Sequence, residues 1–123
     1  MSSAPLFVAA LTSYAANCAL GSSVALKLVD SSGFRWVHHA LYVSTFALAG
    51  AAIVSGAVRG GRARGRRRGC GGARGPAAAV ALAPAVVPLA LIPFLGSRSR
   101  KHVAVSLSAA PFFVAGVVRS RRV

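Results

Sequence analysis

The stretch 36–58, WVHHALYVSTFALAGAAIVSGAV, runs for 23 residues without an Asp, Glu, Lys or Arg. As a helix it would rise about 34 Å, enough to cross a hydrocarbon core of about 30 Å. A helix on the surface of a water-soluble domain keeps a charged face. This stretch has none. A charge at the centre of a bilayer costs about 2.5–3.5 kcal/mol even on a lenient insertion scale, so an uncharged run of this length is what a bilayer imposes.

Outward from this stretch the same pattern repeats. All 15 Lys and Arg and the single acid, Asp30, fall within 27–35, 59–74, 98–101 and 119–122 of the 123 residues. The uncharged windows are 1–26, 36–58, 75–97 and 102–118. They predict an all-α fold, a small polytopic transmembrane bundle of four spans with helices at about 5–28, 36–58, 76–95 and 102–118. The first five residues carry no Lys or Arg, so window one reads as a retained helix and not as a cleaved signal. The last window has only 17 residues, about 26 Å of helix, and needs local thinning or Arg snorkelling to cross. The alternative is three spans plus an interfacial or re-entrant segment, which would also spare the cations of 98–101 a crossing.

The net charge of +14 sits beside a 55% hydrophobic composition. A soluble, basic nucleic-acid binder would explain the arginines but not the uncharged windows. The segment 59–75, RGGRARGRRRGCGGARG, holds seven Arg and seven Gly and no aromatic residue on which a base could stack, so no specific nucleic acid is expected. It reads as a flexible loop extended by self-repulsion. Arg62, Arg64, Arg66, Arg67 and Arg68 are expected to contact anionic headgroups, at about 1 kcal/mol each. Counting basic residues on alternate sides gives 10 on the side of this loop and the tail, and 5 on the other. That bias places the loop and both termini in the cytoplasm and the chain in the cell membrane. Asp30-Ser31-Ser32-Gly33 reads as a turn with Ser31 or Ser32 capping the second helix. Arg98-Ser99-Arg100-Lys101 reads as a tight hairpin between the third and fourth.

The third window carries Pro84, Pro88 and Pro93. A membrane helix tolerates them if neighbouring helices satisfy the released carbonyls. Pro84 and Pro88, four apart, share a face, and a static kink is the plainer reading beside a hinge.

Ser13, Asn17 and Gly21 repeat every four residues and line one face of the first helix. Ala40, Ser44, Ala47, Ala51 and Ser55 form a similar small stripe on the second. Such stripes let helices approach, and a buried amide adds an interhelical hydrogen bond. They are expected to form the seam between these helices or between two copies; the alternative is a polar lining for a small solute.

His38, His39 and His102 fall on one side of the membrane with Asp30, and together could ligate a metal or haem. A site built around the only carboxylate of the chain is thin, and no cofactor is expected. The plainer reading is an interfacial belt of Trp36, His38, His39 and Tyr42. Cys18 and Cys70 are too far apart along the proposed layout to form a bridge. Windows free of Asp and Glu weigh against proton-coupled transport. No nucleophile motif accompanies the candidate groups, so no enzyme is expected. The expected role is an accessory or assembly subunit of a larger membrane complex. An oligomeric solute or ion channel is the alternative, and a metal- or haem-associated membrane protein the third reading. The expected partners are membrane lipids, anionic ones included, and a protein partner or further copies of the chain.

Overall fold

The computed structural model describes residues 4–29, 33, 35–65, 74–95 and 100–121. They form an all-α bundle, with no strand among them. Four helical stretches are long and apolar enough to cross a membrane: Ala4–Ala25, Trp36–Gly61, Gly75–Phe94 and Lys101–Arg121. Each packs antiparallel against the next, and the last returns to the first, so the bundle closes as a ring.

Helix α1 is Ala4–Ala25. Pro5 sits in its first turn, where a missing N–H costs nothing. The helix stops three residues before the expected Leu28 because Lys27 adopts a left-handed backbone, φ 57°. The Lys27 N–H donates to the Val24 carbonyl and the Leu28 N–H to that of Ser23, the paired bonds of a Schellman cap.

Helix α2, Arg35–Gly65, is 31 residues long and rises about 46 Å. It runs through the first part of the segment expected to be a loop at 59–75, and α3 already begins at Arg74. Arg is a good helix former, but the glycines decide the matter by letting α2 and α3 touch backbone to backbone. A Cβ at Gly56 would lie 2.6 Å from the Gly75 carbonyl oxygen and 2.9 Å from Ala79 Cβ, and one at Gly60 would overlap the Pro76 ring. Glycines that read as a source of flexibility here make a close helix contact.

The third span is a chain of short pieces: α3 (Arg74–Leu82), a 3-10 turn at Ala83–Ala85, α4 (Val86–Leu91) and a second 3-10 turn at Ile92–Phe94. Each proline falls in the first turn of its piece, where backbone N–H groups lack intrahelical partners anyway. The expected kink is thus distributed over two 3-10 turns. Pro93 still removes the donor that a continuous helix would offer the Leu89 carbonyl. The Tyr42 hydroxyl of α2 donates to that oxygen instead, at 2.9 Å.

The fourth span is α5 (Arg100–Ser108) and α6 (Ala110–Arg121), broken at Ala109 just before Pro111. Its cationic ends are helical too, which lengthens it beyond 102–118 and makes it long and apolar enough for a fourth span. The Tyr14 hydroxyl enters the break. It donates to the Ser106 carbonyl at 2.6 Å, the group that an unbroken helix would join to the Ala110 N–H. Tyr14 also stacks on Phe113, with centroids 4.4 Å apart.

The bundle buries Phe7, Leu82, Leu89 and Phe113 together with many alanines and leaves bulky aliphatic side chains on its outside. Ala10, Ala49, Ala52, Ala78, Ala85 and Ala109 are buried, while Val80 (71% exposed), Val87 (63%) and Val54 (61%) face outward. Water would drive the large groups inward. Lipid exerts no such drive, and helix association then depends on close packing of small residues and interhelical hydrogen bonds. The expected cap at Ser31 or Ser32 and the turn residues 98 and 99 lie outside the described residues.

Candidate functional site

The polar groups of the interior gather in the half of the bundle that holds the C-terminal part of α1, the N-terminal part of α2 and the start of α5. Two contacts fix the register of α1 against α2. Ser13 Oγ lies 2.9 Å from Thr45 Oγ1, and Gly21 faces the His38 ring. Thr45 Oγ1 donates to the Leu41 carbonyl at 2.7 Å, so the Ser13 hydroxyl is the donor to Thr45.

Asn17 lies on the same face of α1, between these two contacts. Its Oδ1 is buried, and no donor among the described residues reaches it. An unpartnered buried acceptor costs about 1–3 kcal/mol. Ser13 and Gly21 thus contact α2, and Asn17 lies on the same face of α1.

On α2 the seam is not the stripe expected from the sequence. Ala40, Ser44, Ala47 and Ala51 are exposed. Ser55 is half-buried, and its hydroxyl donates to the carbonyl of Ala52 in its own helix. The buried face is Thr45, Ala49, Ala52 and Gly56. This helix carries small residues at helical spacing on two faces, so spacing alone could not choose between them. No signal in the sequence separates them: Ser44 carries a hydroxyl as Thr45 does, and bulky residues flank both stripes.

The histidines separate. His38 and His102 are half-buried, with ring centroids 6.4 Å apart and planes at 45°. His39 is exposed, and Asp30 lies outside the described residues. Among the described residues no three His, Cys, Asp or Glu side chains gather as a metal would require, so His38, His39 and His102 are not assembled as a ligand set. The expected belt divides as well: Trp36 and His39 face outward, whereas Tyr42 turns inward to Leu89.

Cys18 is half-buried against the core beside Tyr14. Arg62 and Arg64 fall on the last turns of α2. Arg66, Arg67, Arg68 and Cys70 lie outside the described residues.

Below Thr45 the buried face of α2 becomes apolar, through Ala49 and Ala52 to Gly56, where α2 meets Gly75 and Ala79 of α3 at close range. The interior therefore offers hydrogen-bonding groups over about half its depth and close-packed backbone over the rest. The two tyrosines that mend proline breaks had no signal in periodicity, because each acts on a carbonyl some fifty to ninety residues away.

No protein-family model, no characterised protein and no solved structure matches the chain, so the geometry of the bundle carries the functional reading.

Proposed function

We propose that the chain is a non-catalytic assembly subunit of a larger membrane complex, docking through the outer face of α2. The observation that carries this reading is the exposure of Ala40, Ser44, Ala47 and Ala51 together on one side of α2, while its opposite side is packed inside the bundle. A stripe of small residues facing lipid admits a second helix at close range, with van der Waals contact as the gain.

The charge balance favours a different protein over a second copy. At +14 per chain, two copies would bring like-charged ends together, whereas a partner with acidic juxtamembrane residues would be attracted to them. The basic bias of 10 to 5 supports a plasma-membrane protein with both termini and the segment 59–75 in the cytoplasm, its arginines near anionic headgroups. A pore through the single bundle is disfavoured by the tight packing below Thr45.

The test is purification in mild detergent with native mass spectrometry. The expected result is a partner of fixed stoichiometry that is lost, about tenfold or more, from an Ala47→Leu/Ala51→Leu chain and retained by a Val80→Leu control. A bare monomer, a homo-oligomer, or equal loss in both variants would contradict the proposal.

A further inference from the structure

We infer that α5 is a proton-sensitive flap, docked at neutral pH through His102 against His38 of α2 and released about the break at Ala109 when both imidazoles are charged. The contact joins two half-buried rings on different helices, with centroids 6.4 Å apart and planes at 45°. Neutral imidazoles pack at this distance without penalty. Two imidazolium ions there repel, and partial burial leaves less water to screen them than an open surface would.

The surroundings add to that repulsion. Near the pair, α2 contributes His39, Tyr42 and, as its first residue, Arg35, and α5 contributes Arg100 and Lys101. The end of α1 contributes Cys18 and Lys27, Gly21 meets the His38 ring without a side chain, and 83–95 of the third span hold no ionisable group. Asp30, the single acid of the chain, lies outside the described residues. Every permanent charge that the described residues place at this end is therefore positive.

The piece that would move is loosely held. No residue of 101–108 is buried, whereas α6 buries Phe113 and Gly116. The Ser106 and Ser108 hydroxyls donate to the His102 and Val105 carbonyls within α5 itself, so they hold the helix together and not to its neighbours. Pro111 offers no N–H to the Leu107 carbonyl, and the Ala109 N–H meets the Ser106 carbonyl only at 3.4 Å. A weakened turn thus joins α5 to α6, and the Tyr14 hydroxyl pins it there. His102 stands about 10 Å from this pivot, so parting the two rings swings the free end of α5.

The direction follows from linkage. Repulsion arises only when both rings are charged, so docking is fully present above the ordinary histidine range of about pH 6.5 and weakens as the pH falls through it. The flap is independent of the partner proposed above, whose docking face is the exposed stripe of α2.

The test is amide hydrogen exchange of the full chain in detergent, read by mass spectrometry at about pH 7.5 and about pH 5.5 and corrected for the intrinsic exchange rate. Protection of 102–108 is expected to fall about tenfold or more at the lower pH, while that of 112–119 in α6 holds. His38→Phe keeps a ring in the contact but takes no proton, and should abolish the pH effect. His102→Phe should do the same, and serves if the first variant folds poorly. His39→Gln, at the exposed neighbour, should leave the effect intact. Protection of 102–108 that does not change with pH would overturn the flap, as would an undiminished loss in the Phe variants or a loss shared by α6.

Discussion

The two ends of the bundle hold their helices together by opposite means. At the histidine end, contact passes through side chains: Ser13 to Thr45, Tyr14 to the break between α5 and α6, Tyr42 to the carbonyl released by Pro93. At the arginine end, α2 and α3 meet through bare backbone, with Gly56 against Gly75 and Gly60 against Pro76, while Phe7 and Leu82 pack on Gly116. Lipid supplies no hydrophobic drive for either. The polar end can tolerate irregular backbone because hydroxyls mend it, and the glycine end can be regular and dry because nothing needs mending.

The difference can be broken most severely at the dry end. Gly56→Leu places a side chain where even a Cβ would be 2.6 Å from the Gly75 oxygen. A loss of about 3 kcal/mol or more is expected, at the upper end of overpacking effects, read from reversible unfolding in detergent. The same change at Gly50, where a Cβ meets nothing within 4 Å, should cost little beyond its own rotamer entropy.

At the polar end the effects are smaller and should rank. Tyr14→Phe keeps the stack on Phe113 but removes the short 2.6 Å bond to the Ser106 carbonyl at the helix break. Tyr42→Phe strands one carbonyl, that of Leu89. About 1.5 kcal/mol for the first and about 1 for the second fits the range measured for interhelical hydrogen bonds in membranes. Equal effects would mean that the shorter Tyr14 bond at the break is worth no more than that of Tyr42.

The smallest expected effect lies outside the spans. Lys27 holds a left-handed backbone at the end of α1, which costs a non-glycine residue about 1 kcal/mol. Lys27→Gly should stabilise the folded chain by up to that amount, less the greater entropy of the unfolded glycine, as a higher unfolding midpoint.

These particulars show what could be read from the chain. Four spans follow from the gaps between charges, because the solvent imposes those gaps on any sequence that crosses it. Asn17 and Ser13 could be placed on a seam because they are polar residues on an otherwise apolar face. The partner face of α2 could not. In water the inner and outer faces of a helix differ in polarity, but in lipid both are apolar, and α2 carries small residues on each.

The continuation of α2 to Gly65 was hidden for a related reason. Glycine lowers helix propensity, and only the arrival of Gly75 and Pro76 turns that cost into a contact. The two tyrosines were hidden because their acceptors are defined by distant prolines.

The register of α1 on α2 is the point on which both the seam and the outward face depend. Paired cysteines test it directly in the membrane, on the Cys18→Ala/Cys70→Ser background. Ser13→Cys with Thr45→Cys should form a disulfide rapidly under mild oxidation, since the native side-chain oxygens are 2.9 Å apart and bridged cysteines need Cβ atoms about 3.5–4.5 Å apart. Ser13→Cys with Ser44→Cys should not cross-link, since Ser44 faces outward. Cross-linking through position 44 and not 45 would contradict the arrangement of the bundle and the docking face drawn from it.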